Sequence, residues 1–146
     1  MMGIITLALF LAASGLAARS TELSARSELS RYGVCEREGV KIVGQVPARV
    51  GKGARAPKKL RDAKPQYPEL PANTAGSGMW AGEILLDTHG KVARVWTVRE
   101  VEFTPPFPPF NQAIVAAMKS WEFTPVVVKG IATPMCMTVT LNINWG

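Results

Sequence analysis

The end of the chain places the strongest constraint on its fold. From Met135 to Trp145, apolar and polar side chains alternate without interruption. The apolar positions are Met135, Met137, Val139, Leu141, Ile143 and Trp145, and the positions between them are Cys136, Thr138, Thr140, Asn142 and Asn144. Because successive side chains of a β-strand point to opposite faces, this pattern predicts a long strand with one buried and one polar face. Such a strand is typical of an antiparallel sheet that a helix covers on one side only.

A β-hairpin is predicted between Met79 and Val101. Its first strand alternates, with Trp80, Ile84 and Leu86 on one face and Ala81, Glu83 and Leu85 on the other. The residues 87–90 read Asp-Thr-His-Gly, which predicts a turn in which Gly90 adopts a positive φ. The β-branched segment from Lys91 then returns as the second strand.

A helix is predicted after the proline-rich segment 104–110, which we expect to be a stiff extended connector. Asn111 is a suitable N-cap residue, and Thr124-Pro125 is a stop signal. The helix would direct one apolar stripe toward a core, formed by Ile114, Ala117, Met118 and Trp121.

These elements predict an α+β fold with two layers. A second hairpin is expected at Val126–Val128, the Lys129-Gly130 turn and the residues from Ile131 onward. The order is therefore β-β-α-β, with an antiparallel sheet of about three strands packed against a helix.

The start of the chain reads as an export signal. The first eighteen residues carry no charged side chain, and small residues follow the apolar centre. This pattern predicts a signal peptide at 1–17, cut after Ala17, and a mature protein without stable membrane insertion. The alternative is an uncleaved anchor in the inner membrane formed by residues 1–18. Residues 18–56 are then a polar and basic lead-in, with a short helix expected at 20–31 and a short strand at 40–46.

The two cysteines suggest a disulfide. Cys35 and Cys136 lie about 100 positions apart in a chain that we expect to be exported, and disulfides persist outside the cytoplasm. The competing interpretation is two free thiols. With a single histidine, His89, these residues do not provide a zinc site. His89 belongs to a predicted turn and Cys136 to the start of a predicted strand, so nothing indicates that they come together. We therefore expect no catalytic residue, no metal and no cofactor.

Positive charge is concentrated in one segment of the chain. Between Arg49 and Lys64 there are seven basic residues and one acid, Asp62, and this window accounts for the whole net charge of +6. One interpretation is a solvated linker, and the alternative is a site for a polyanion or another cell-envelope component. No aromatic residue interleaves these charges to stack on bases, so nucleic acid is not an expected partner.

The motifs of the second half resemble the C-terminal domain of the TonB energy transducers. They are Tyr67-Pro68, Gly78, Gly90-x-Val92, the helix end from Ala117 to Thr124-Pro125 with Trp121 and Phe123, Gly130 and the alternating last strand. The resemblance covers residues 57–146, and the preceding stretch from Arg49 to Lys59 is similar to the exported single-domain branch of that family.

The resemblance implies a periplasmic module that binds a protein or peptide by strand addition. In TonB proteins the partner is the TonB box of an outer-membrane transporter. Carried over by position, Lys64, Pro65, Gln66 and the terminal strand would face the partner. The residues themselves predict strand addition along Met137 to Asn144, with a homodimer left open. The energy transducers keep an uncleaved anchor and a long spacer rich in proline, lysine and glutamate. Here residues 18–56 separate the predicted signal from the domain without such a repeat, so energy coupling is not implied as directly as the fold.

Overall fold

The computed structural model describes residues 33–145. These residues belong to one compact unit. The predicted signal peptide at 1–17 and the predicted helix at 20–31 lie outside the described residues. Within the described part of the chain, no helix is both long enough and apolar enough to cross a membrane.

The protein has the α+β class that the sequence predicts, and that class is confirmed. Two helices and eight strands are described, most of the strands in antiparallel pairs. In chain order they are α1 (Val34–Arg37), β1 (Lys59–Arg61), β2 (Ala75–Leu86), β3 (Val92–Arg99), β4 (Glu102–Thr104), α2 (Pro108–Lys119), β5 (Glu122–Phe123), β6 (Val127–Val128), β7 (Ile131–Ala132) and β8 (Met135–Trp145).

The principal sheet is built around β2. Along one side, β2 pairs with β8 in an unbroken antiparallel register from Gly76↔Trp145 to Leu86↔Met135. Along its other side it pairs first with β4 and then with β3. The sheet therefore has four strands, one more than the three that the sequence predicts, because the short β4 continues the line of β3. The smaller hairpin of β6 and β7 forms where the sequence predicts it.

The core lies between this sheet and α2, on what we call the inner face. The fully buried Trp80, Ile84 and Leu86 of β2 belong to the same apolar cluster as residues of α2. The α2 members with no exposed surface are Phe110, Ile114 and Met118. Burying one such side chain contributes about 1.5–3 kcal/mol, so this layer is the main source of stability.

The turn between β2 and β3 is confirmed in detail. The Asp87 carboxylate accepts the backbone N–H groups of His89 and Lys91, at 2.8 and 2.9 Å. Gly90 has a φ of +80°, and its carbonyl accepts the N–H of Phe123 at 2.9 Å. A side chain at Gly90 would meet the backbone of Phe123, so both the conformation and the space require glycine here.

The prediction for the start of α2 was wrong. The helix begins at Pro108 with Phe107 at the N-cap, so Asn111 lies inside it and is 5% exposed. Prolines are compatible with the first turn of a helix, since the N–H groups there have no partner within the helix. The helix ends at Lys119, and Trp121 joins the core from the segment that follows.

The lead-in is part of the compact unit from Gly33 onward. The strand expected at 40–46 is absent from the described residues, because Ile42 and Gln45 bond to each other across a tight turn. Cys35 packs with Leu85 and Cys136 on the outer face of the sheet, opposite α2. The described part of the lead-in therefore packs within the compact unit, and β2 is buried on both faces near its end.

Candidate functional site

β8 lies at an edge of the sheet, as the sequence predicts. Away from β2, its only described backbone partner is Ala48, at the start of the strand. The N–H of Ala48 donates to the carbonyl of Pro134 at 2.7 Å, and the N–H of Cys136 donates to the carbonyl of Ala48 at 2.9 Å. From Met137 to Asn144, no described strand pairs with this edge, which we call the β8 edge.

The bonding of Cys136 identifies which backbone groups point outward. In an antiparallel pair, hydrogen-bonded positions alternate with positions that face away from the neighbouring strand. Cys136 bonds away from β2, and the register of β8 continues without a bulge. The outward-facing N–H and C=O groups of the β8 edge therefore belong to Thr138, Thr140, Asn142 and Asn144.

The side chains of β8 separate as the sequence predicts. Thr138, Thr140, Asn142 and Asn144 are exposed on the outer face of the sheet. The inner-face residues Met137, Val139, Leu141 and Ile143 are only partly buried, although they pack against the main core. The inner face of the edge therefore keeps apolar surface that an added strand would cover.

The opposite edge of the sheet, formed by β3, has a different character. The register between β2 and β3 shifts twice, at Ala81/Gly82 and at Leu85/Leu86. Two arginines, Arg94 and Arg99, are exposed along β3. Bulges and long charged side chains are the usual protection of an edge strand against pairing. β8 has neither a register shift nor a charged residue, so it is better suited than β3 to accept a strand.

A groove opens at the start of the β8 edge. It has a volume of about 440 Å³, within the range of about 300–1,000 Å³ typical of ligand pockets. Its lining comes from the start of β8 and from the loop that follows Ala48, and consists of Arg49, Val50, Ala56, Pro57, Cys136, Met137 and Thr138. Because Thr138 belongs to both, the groove and the edge form one continuous surface.

The predicted contact residues Lys64, Pro65 and Gln66 lie in the loop that follows β1. Lys64 and Gln66 are exposed, and Pro65 is half-buried. The loop is anchored by a hydrogen bond from Trp121 Nε1 to the carbonyl of Ala63 at 2.8 Å and by stacking of the Tyr67 ring on Phe110. These anchors lead to α2 and to the residues just after its C-terminal end.

The predicted disulfide is present between Cys35 and Cys136, with their Cα atoms 6.5 Å apart. Both cysteines are buried, at 3% and 1% exposure. The bridge joins the lead-in directly to the start of β8, beside the position where Ala48 pairs with the strand. It therefore holds in place the loop that forms the wall of the groove.

A buried carboxylate strengthens the same attachment, and sequence analysis did not identify it. Glu83 is 4% exposed on the outer face of β2 and accepts the N–H of Cys35 at 3.1 Å. Arg49 donates to Glu83 at 2.6 Å and also to Glu36, so one guanidinium joins two carboxylates. The hydrogen bond from Arg49 lowers the pKa of Glu36, and that same bond, with the one to Glu83, raises the pKa of Arg49. The sequence held one signal for this buried carboxylate, because Glu83 lies among apolar residues in a predicted strand.

Part of the basic segment is engaged within the domain. In addition to Arg49, Lys59 pairs with Asp62 at 3.2 Å and lies 3.4 Å from the centroid of the Trp121 ring, and Arg61 pairs with Glu122 at 3.4 Å. Lys52 is near enough to Glu36 to lower its pKa. The remaining cations are exposed and form no ion pair with another described residue; they are Arg55, Lys58 and Lys64.

The structure places the other chemically reactive side chains apart. His89 is exposed in the turn between β2 and β3, whereas the cysteine sulfurs are bonded to each other on the outer face. No group of three or more His, Cys, Asp or Glu side chains suited to a metal ion occurs in residues 33–145. The β8 edge with its groove is therefore the candidate site.

Comparison with models of protein families, with curated proteins and with solved structures found no match.

Proposed function

We propose that this protein is a non-enzymatic, exported binding module that takes up an extended segment of a partner protein as an additional strand on β8. The unprotected β8 edge carries this proposal. Its backbone groups at Thr138, Thr140, Asn142 and Asn144 are available to a partner, and main-chain hydrogen bonds of this kind supply most of the affinity in strand addition.

The surroundings of the edge define what the added strand would contain. Its inward side chains would lie beside Val139, Leu141 and Ile143, where apolar residues gain from burial. On the outer face of the sheet, its side chains would lie beside the threonines and asparagines of β8. These residues form hydrogen bonds and leave no exposed apolar patch. An alternating apolar and polar peptide is the partner that fits both faces.

The resemblance to the TonB C-terminal domain extends the proposal. It suggests a periplasmic location, consistent with the uncharged start of the chain, and an outer-membrane receptor as the partner. A role in transport across the outer membrane follows from the same resemblance.

Binding of a polyanion or envelope component through residues 49–64 is the second candidate. Three of its seven cations, Arg49, Lys59 and Arg61, already form ion pairs inside the domain. The local excess of charge is therefore smaller than the sequence suggests, and the segment has a structural function in addition. The β8 edge offers a more complete site.

A labelled peptide containing the TonB box of an outer-membrane transporter tests the proposal. Thr140→Pro removes one outward N–H, whereas Thr140→Ala removes only the side chain. We expect proline to weaken binding at least about tenfold, equivalent to roughly 1.4 kcal/mol, and alanine to have little effect. Fluorescence anisotropy measures both, with a scrambled peptide as the control for sequence and circular dichroism as the control for folding.

Amide hydrogen exchange provides an independent readout. Peptide binding should slow the exchange of the N–H groups of Thr138, Thr140 and Asn142, which face outward. The amides of Val139 and Leu141 face β2 and should change much less. Equal affinity of the proline and alanine variants, or protection confined to residues 49–64, would contradict strand addition at this edge.

A further inference from the structure

The wall of the groove at the start of the β8 edge belongs to a loop that is basic in sequence. Ala56 and Pro57 line the groove, and the residues on either side of them are Arg55 and Lys58, both exposed. No acidic residue occurs in the sequence from Arg49 to Lys58. The loop opposite the first free position of the edge, Thr138, therefore carries positive charge only.

No described ion pair balances this charge. Glu36 and Glu83, which contact the same loop, are both bonded to Arg49. Arg55 and Lys58 form no ion pair with a described residue. A ligand at this end of the edge would therefore lie near two cations that no described acid neutralises.

We propose that the partner strand ends in acidic residues that lie against Arg55 and Lys58, an inference that rests on the proposed function. A strand added along the β8 edge reaches the groove at Thr138, because the edge and the groove share that residue. The loop that follows Ala48 occupies the space beyond, so the wall stops the added strand and meets its end. Complementary charge at this point fixes the register of the strand and accelerates its encounter with the domain.

The direction of the strand decides which end is acidic. A strand parallel to β8 would bring its N-terminal end to the wall, and an antiparallel strand would bring its C-terminal end. Three peptides distinguish these arrangements, each with a Thr-Val-Thr-Val-Thr core and neutral capped ends. One carries Glu-Glu before the core, one carries Glu-Glu after it, and the third carries Gln-Gln at both positions.

Binding to the oxidised protein is measured at low and high salt. One of the two acidic peptides should bind about three- to tenfold more tightly than the glutamine peptide at low salt, the range expected for two exposed ion pairs. The preference should shrink at high salt and should be lost in Arg55→Glu/Lys58→Glu. Arg99→Glu, on the opposite edge strand, is the matched control and should retain it.

Each remaining outcome has a separate meaning. If neither acidic peptide is preferred, or if the preference survives the double charge reversal, the acidic end is disproved. If the acidic end is disproved but Thr140→Pro abolishes binding of all three peptides, strand addition at the β8 edge is still supported. If heparin binds wild type and Thr140→Pro equally, loses affinity in the double reversal, and no peptide binds, then the basic loop is a polyanion site and both proposals fail.

Discussion

The guanidinium of Arg49 lies 2.6 Å from the carboxylate of Glu83, which is buried in the central strand of the sheet. This contact joins the lead-in to the outer face of the domain. It lies next to Ala48, the residue that pairs with the start of β8, and next to the groove that Arg49 itself lines. The geometry of the candidate site therefore depends on an ion pair between segments far apart in sequence.

Replacement of Arg49 by methionine should destabilise the protein by about 3 kcal/mol, because it leaves the buried Glu83 carboxylate without a counter-ion. This value is the lower end of the range for buried pairs, since 24% of the Arg49 side chain is exposed. Arg49→Met/Glu83→Gln should recover much of the loss. Urea unfolding of wild type, both single variants and the double variant measures the coupling, and additive effects would contradict it.

Glu36 should make stability sensitive to acid. Its pKa is lowered by the hydrogen bond from Arg49, from an ordinary value of 4.5. A carboxyl with a lowered pKa stabilises the fold above that ordinary value, and the contribution is lost as the pH falls through the folded-state pKa. The advantage of wild type over Glu36→Gln should therefore be constant near neutral pH and shrink below 4.5. Thermal unfolding over a pH series shows this, and an advantage that stays undiminished as the pH falls below 4.5 would exclude it.

The disulfide should contribute strongly to stability. It closes a loop of 101 positions, for which the chain-entropy model gives up to about 4.7 kcal/mol. Cys35→Ala/Cys136→Ala should lower the free energy of unfolding by several kcal/mol in urea titrations. A loss below about 1 kcal/mol would show that the unbridged lead-in stays attached through other contacts.

Reduction of the native protein should be slow. Both sulfurs belong to residues that are at most 3% exposed, and thiol–disulfide exchange requires access for an attacking thiolate. Alkylation after treatment with dithiothreitol should label few thiols under native conditions and both in urea. Rapid labelling without urea would show that the lead-in detaches readily from β8.

The parts of the fold that local patterns determine could be predicted from the sequence. The alternation of β8 and the Asp87–Gly90 turn each depend on neighbouring residues, and both were predicted correctly. The start of α2 was predicted incorrectly, because an asparagine such as Asn111 fits two environments: an N-cap and a buried hydrogen-bonding position. Only the tertiary partner, Val101, distinguishes them.

The groove could not be predicted for a related reason. Its wall comes from a basic segment that resembles a solvated linker in the sequence. The segment is held against β8 by the disulfide and by Glu83, both of which are contacts between distant parts of the chain. The position of residues 64–66 beside the partner remains a prediction.

Asn111 itself should be important for stability. Its amide accepts the N–H of Val101 at 3.0 Å and donates to the carbonyl of the same residue at 3.1 Å, in a buried environment. Asn111→Ala leaves both backbone groups without a partner, which should cost about 2–4 kcal/mol. Gln112→Ala, at the next and exposed position of the helix, is the control and should cost less than about 0.5 kcal/mol. Similar losses in the two variants would show that the clamp on Val101 contributes little.

Without a partner, the β8 edge should pair with the β8 edge of a second copy at high protein concentration. In an antiparallel pair centred on Leu141, Thr140 would lie opposite Asn142 of the other copy and Thr138 opposite Asn144. All four positions present outward N–H and C=O groups, so hydrogen bonds can form along the whole pair. The half-exposed side chains of Val139, Leu141 and Ile143 would be covered on the inner face.

Lysines on this strand should prevent the pairing. Thr140→Lys/Asn142→Lys places like charges directly opposite each other, which is unfavourable across paired strands and is a common protection of sheet edges. Sedimentation velocity should show concentration-dependent dimers for wild type and for Thr140→Ala/Asn142→Ala, and monomers for the lysine variant. A TonB-box peptide that binds the β8 edge should also dissociate the dimer, because both compete for the same backbone groups. If the lysine variant dimerises as well as wild type, the contact between copies lies elsewhere and leaves the β8 edge free for the peptide.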